Sequence, residues 1–138
     1  MAPLCEQMIA ASLLAFPDTQ AIYLFGSFGT EDEWPGSDVD IAILLPPPRA
    51  KKAGSLSFHP LRAELATLAG REVDLVNLRL VSTVFQKEIV MADRRIFCAD
   101  PSAADEFEML VLSFYQKLNE ERAGILQAFA ATGKAYPV

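Results

Sequence analysis

Two aspartates one residue apart, Asp38 and Asp40, follow a Gly26-Ser27 pair across the ten-residue interval 28–37. In an extended segment side chains alternate in direction. Asp38 and Asp40 therefore project the same way, and their oxygens can chelate one hard cation or share two. Glycine lets a backbone turn sharply and come close to a ligand. The amides of such a turn, leading into a helix start, suit a phosphate, and Ser27 adds a hydroxyl donor. Asp74, early in a second apolar segment, is the natural third carboxylate. Without cations three facing carboxylates repel one another. Magnesium removes that conflict and binds nucleotide phosphates as well. Two metals about 3.5–4 Å apart can activate an attacking oxygen and stabilise a leaving pyrophosphate. The candidate catalytic residues and metal ligands are thus Asp38, Asp40 and Asp74, and the candidate nucleotide-binding residues are Gly26 and Ser27.

The flanking pattern supplies elements to hold these groups. Leu4, Met8, Ile9, Ser12 and Leu13 recur at helical spacing and predict an opening helix that stops at Pro17-Asp18. Residues 21–25, Ala-Ile-Tyr-Leu-Phe, read as a buried strand ending at Gly26. A second strand is expected over 38–45. Val39, Ile41, Ile43 and Leu45 share one face there, and Asp38 and Asp40 share the other with Ala42 and Leu44. Pro46-Pro47-Pro48 then forbids further pairing, and 49–55 is expected to be a polar, mobile loop. His59-Pro60 leads into a helix carrying Leu61, Leu65 and Leu68 and stopping at Gly70. A third strand over 72–78 carries Asp74. A helix over 80–91 with Ser82 as a cap follows, then a short edge strand at 95–98. Asp100-Pro101-Ser102 announces a final helix whose stripe, Phe107, Leu110, Val111, Phe114, Leu118, Ile125 and Phe129, predicts core along much of its length, with a partner surface as the lesser alternative. The alternation describes an α/β fold: a small mixed β-sheet flanked by helices, with a long C-terminal helix. One domain is expected over 1–138, its core about 1–99 and its C-terminal helical segment about 100–131.

Composition narrows the classes. The chain has 138 residues, 51% hydrophobic and 22% charged, the balance of a folded domain. No apolar run approaches the roughly 20 residues a membrane span needs, and 1–7 lacks the features of a secretion signal. A cytoplasmic location is expected. The net charge of −6 repels a phosphate backbone and argues against general nucleic-acid binding. Cys5 and Cys98 read as two small apolar thiols. His59, the sole histidine, supports neither a zinc site nor a catalytic triad. Glu31-Asp32-Glu33 reads as a solvated acidic loop tip.

The combination of Gly-Ser, a ten-residue spacer and Asp-x-Asp resembles the minimal nucleotidyltransferases of the DNA polymerase β-like superfamily. It is most similar to the MNT antitoxins of prokaryotic HEPN/MNT toxin–antitoxin modules, whose spacer has the same length. The resemblance extends over the strand Glu72-Val73-Asp74-Leu75-Val76-Asn77-Leu78 and the helices that follow. It implies the nucleotidyltransferase fold and an enzyme that transfers AMP from ATP, with magnesium, onto a tyrosine of a cognate HEPN ribonuclease toxin, silencing it. Gly26 and Ser27 would hold the triphosphate, Asp38 and Asp40 the metals, and Asp74 would share a metal and act as base. Relatives often carry a basic residue soon after the Gly-Ser pair, whereas this chain has Gly29-Thr30-Glu31-Asp32-Glu33. Two alternatives stand beside this reading: a binding-only antitoxin with a vestigial site, and a small-molecule nucleotidyltransferase such as an antibiotic-modifying enzyme.

Overall fold

The computed structural model describes residues 2–31, 33, 34 and 36–132. Its elements in order are α1 (Ala2–Ala15), β1 (Ala21–Phe25), β2 (Val39–Leu44), α2 (Pro47–Ala53), α3 (Pro60–Ala69), β3 (Val73–Asn77), α4 (Thr83–Met91), β4 (Arg95–Cys98) and α5 (Pro101–Thr132). The strands form one sheet in the order β3-β2-β1-β4. β1 runs antiparallel to β2 and β4, while β2 and β3 are parallel, so the sheet is mixed as expected.

Side-chain alternation divides the core between the two faces of the sheet. Ile22 and Leu24, Val39, Ile41, Ile43 and Leu45, and Val73 and Leu75 pack with Met8 of α1 and with Leu61 and Leu65 of α3. Ala21 and Tyr23, Ala42 and Leu44 face the other way, against Ile89 and Val90 of α4 and Ala104, Phe107 and Val111 of α5. β2 is thus covered on both faces and paired along both edges.

Local chemistry sets the helix boundaries. His59 caps α3, its Nδ1 accepting from the Leu61 amide at 3.0 Å, and Gly70 closes that helix with φ +68°. Ser82 Oγ accepts from the Phe85 amide at 3.2 Å at the start of α4. Asp100 Oδ1 does the same for Ala103 at 3.1 Å ahead of α5.

Two expectations are corrected. Residues 47–53 form helix α2 rather than a loop. Proline cannot extend a sheet, but its fixed φ suits the first turn of a helix. The buried Asn77 side chain then ties the helix down by donating to Ala50 O at 3.0 Å and Gly54 O at 2.9 Å. Of the α5 stripe only Phe107 and Val111 are core, and Leu110 between them is already exposed. Phe114, Ile125 and Leu126 are 58%, 46% and 66% exposed. A helix of 32 residues is about 48 Å long at 1.5 Å per residue, longer than the sheet and α4 against which it packs. Phe129 lies outside the residues whose side chains are described. No described helix is long and apolar enough to cross a membrane.

The first part of α5 is fastened to the sheet by a polar cluster. Tyr23 Oη donates to Glu108 Oε2 at 2.8 Å, and Arg95 Nη1 donates to Glu108 Oε2 at 2.8 Å and Asp105 Oδ1 at 3.0 Å. Burial, and then the Glu108 carboxylate, hold the Tyr23 hydroxyl well above the usual phenol range, so it remains a donor. Tyr23→Phe should lower unfolding free energy by about 1 kcal/mol, the net worth of such a bond, read as a shifted midpoint in urea with unchanged slope. An unchanged midpoint would show that Arg95 alone holds Glu108.

Candidate active site

β1 ends at Phe25, which stands opposite Asp40 in the antiparallel pair, and the chain then turns at Gly26 with φ +74°. A β-carbon at Gly26 would lie 2.0 Å from Asp40 Oδ2. Glycine is therefore required both for the backbone conformation and for the space the carboxylate fills. Across the parallel pair Asp40 is the register partner of Asp74. Both belong to the set of positions facing α4 and α5, at the end of the sheet where β1 stops and β2 and β3 begin. Asp38 lies one residue before β2.

All five residues singled out in the sequence meet at this end of the sheet. Asp40 is half-buried, and Asp38 and Asp74 are exposed. Burial, and then the charges of Asp74 and Asp38, push the Asp40 carboxyl from the ordinary 3.8 up to about 6. Among the described residues no three Asp, Glu, His or Cys side chains converge closely enough to hold a metal ion as they stand. The donors nonetheless fit a hard divalent cation: they are all carboxylate oxygens, crowded enough to perturb one another, with no thiol or imidazole beside them.

The Gly-Ser turn is held from behind by Arg94, which sequence reasoning missed. Its Nη1 donates to Gly26 O at 3.2 Å and its Nη2 to Phe28 O, while its own carbonyl accepts from the Leu24 amide at 2.9 Å. In a trans peptide the carbonyl and the next N–H point in opposite directions. Drawing the oxygens of Gly26 and Phe28 toward Arg94 therefore aims the amides of Ser27 and Gly29 away from it. Arg94 follows Asp93, whose φ of +56° is an uncommon conformation that Asp tolerates better than most residues. Nothing in residue type announces this contact.

The amide of Gly29 already holds an anion. It donates to Glu33 Oε1 at 2.6 Å. Glu33 also pairs with Arg71 at 3.6 Å, and Arg71 lies 5.3 Å from the centre of the Phe28 ring. The acidic segment is thus not wholly a solvated tip. A cavity of about 440 Å³, lined by Ser57, Leu56, Val76, Val81 and Phe85 among others, opens beside Asp74.

Residues 7–102 match the family described as Polymerase beta, Nucleotidyltransferase. The chain is 33% identical over 120 residues to the protein adenylyltransferase MntA of Shewanella oneidensis, covering 86% of this chain and 82% of that one. Among solved structures it is similar to a toxin–antitoxin with AMP-PNP, with TM-score 0.69 and 30% identity over 91% of this chain and 98% of the other. It is similar also to a complex of a tri-AMPylated Shewanella oneidensis HEPN toxin with an MNT antitoxin, with TM-score 0.66 and 29% identity over 94% and 98%.

The raised Asp40 carboxyl makes stability depend on pH. Below about pH 4 this carboxyl is protonated in both folded and unfolded chains and costs nothing. As pH rises through about 6 the folded protein must ionise it where burial and like charge oppose ionisation, and stability is lost. In metal-free buffer Asp40→Asn should therefore gain in melting temperature relative to the parent as pH rises from 4 to 7.5. A difference independent of pH would show that Asp40 carries no such penalty.

Proposed function

The chain belongs to the Polymerase beta nucleotidyltransferase family, and from that premise we propose that it is an antitoxin enzyme. It transfers AMP from ATP to a tyrosine of a cognate HEPN ribonuclease toxin. The observation that carries the reading is the register: Asp40 opposite Asp74, with Gly26 folded against Asp40. Its similarity to a protein named for adenylyl transfer, and to toxin–antitoxin assemblies that include AMP-PNP and an AMPylated toxin, supports the same conclusion.

Each residue has a defined task in this reading. Gly26 and Ser27, with the amide of Gly29, receive the triphosphate. Asp38, Asp40 and Asp74 would hold two magnesium ions, whose chemistry is to neutralise the triphosphate and the departing pyrophosphate. Asp74, exposed at the cavity, takes the proton of the tyrosine hydroxyl. The phenolic oxygen forms a bond to the α-phosphorus as the bond to the β-phosphate's bridging oxygen breaks, and pyrophosphate leaves. The part of α5 beyond Val111, where Phe114, Ile125 and Leu126 are exposed, offers the toxin a contact surface.

Covalent silencing differs from plugging in stoichiometry. Toxin ribonuclease activity is followed against antitoxin ratio, with ATP and magnesium present or absent, and the toxin's intact mass is then measured. Silencing should be substoichiometric, ATP-dependent and accompanied by a mass gain of one or more AMP groups. Asp38→Ala, Asp40→Ala and Asp74→Ala should each lower transfer by roughly a thousandfold, the scale of losing a metal ligand or base. Ser27→Ala should cost less, since the amides remain. Equimolar, ATP-independent silencing with unchanged toxin mass would leave the binding-only reading.

A further inference from the structure

We propose that Glu33 is a built-in competitor for the nucleotide's phosphates: its carboxylate occupies the Gly29 amide, and a triphosphate binds by displacing it. This rests on the reading above, that the 26–29 turn receives the triphosphate, and adds a residue that sets the affinity of that site.

The geometry is that of an anion held in a turn. Ser27 O accepts from the Thr30 amide at 3.0 Å and from Thr30 Oγ1 at 2.6 Å, and Thr30 O accepts from the Glu33 amide at 3.1 Å. These bonds bring residue 33 back over the turn that Arg94 holds from the opposite side. The Glu33 carboxylate then takes the Gly29 N–H in a short charge-assisted bond of 2.6 Å. A phosphate oxygen is the same kind of acceptor, and one N–H cannot serve both fully.

Arg71 makes the exchange conservative in charge. It meets Glu33 at 3.6 Å, but it is also anchored by donating to Ser37 O at 3.2 Å and by lying over Phe28. Loss of Glu33 therefore leaves the guanidinium in place beside the turn, ready for another anion. Glu33 itself has 31% of its side chain exposed, so it has an open path to water. Whatever fraction of the protein holds Glu33 on the amide is unavailable to nucleotide, and apparent affinity falls by that fraction.

The test compares the unsubstituted protein with Glu33→Ala and Glu33→Gln. Calorimetry with AMP-PNP and magnesium gives dissociation constants, and AMP transfer to the toxin gives kcat and the KM for ATP. Removing a charge-assisted competitor should tighten binding by roughly five- to tenfold in Glu33→Ala. Glu33→Gln should gain less, because a neutral amide oxygen still accepts the bond, though more weakly. KM should fall while kcat does not rise. A merely structural role in the loop would instead weaken binding together with a lower melting temperature. Glu33→Gln, close in shape to glutamate, serves as the variant if Glu33→Ala does not fold. Equal or weaker nucleotide binding in the variants, with binding intact in the parent, overturns this proposal alone. No binding by the parent or either variant overturns the assignment of the turn and this proposal with it.

Discussion

Like charges held side by side are the constraint around which this structure is arranged. Asp40 stands opposite Asp74 and within the field of Asp38, and its own carboxylate fills the space where Gly26 lacks a side chain. Left to itself such a cluster would spread. It cannot spread far, because β2 is paired on both edges and its neighbouring side chains, Val39 and Ile41, are buried. The apolar layers above and below the sheet supply the stability that the acidic end subtracts. Aspartate is also a poor strand former. Two of them at the start of a strand break the local rule of the sequence, as functional residues commonly do.

That violation is why so much of the site was legible. Period-two alternation put Asp38 and Asp40 on one face, and Asp74, early in 72–78, offered a third carboxylate if the two strands were neighbours. The observed pairing of β2 with β3 makes them neighbours, in the register that aligns Asp40 with Asp74. Strands β1 and β4 and helix α3 were equally readable, since each is a short apolar run or stripe bounded by Gly, Pro or a capping side chain. What failed to read depended on partners distant in sequence. The prolines at 46–48 exclude strand, but only the bonds from Asn77 to Ala50 and Gly54 show what holds the helix that follows. The stripe of α5 has a uniform period. Where it leaves the core is fixed by the reach of α4 and the sheet, which periodicity does not record.

The same limit applies within the site. Arg94, Arg71 and Glu33 act on backbone atoms of the Gly-Ser turn or on one another, and a backbone partner leaves no mark in residue type. An acidic triplet in a loop usually means solvation. Here one of its members is recruited because the fold over Ser27 and Thr30 carries residue 33 back to a free amide. Two basic side chains do reach the turn from elsewhere in the chain: Arg94 beside β4 holds its carbonyls, and Arg71 beside β3 pairs with Glu33. No inspection of 26–37 alone would have found either.

Negative charge exceeds positive charge at this end of the molecule. The carboxylates of Asp38, Asp40, Asp74 and Glu33 outnumber the guanidiniums of Arg71 and Arg94, and those of Arg94 are committed to the carbonyls of Gly26 and Phe28. A triphosphate would add several negative charges to a region already short of positive ones, on a chain whose net charge is −6. Under the proposed reading, cation and nucleotide are therefore coupled ligands: each removes the repulsion that opposes the other. Linkage makes the coupling reciprocal, so the factor by which magnesium raises nucleotide affinity is the factor by which nucleotide raises magnesium affinity. Displacement of Glu33 adds to the same balance, since it removes a negative charge from the turn as the phosphates arrive. A small acidic fold can in this way hold a highly charged substrate without a basic surface, and it repels polyanions that arrive without their cations.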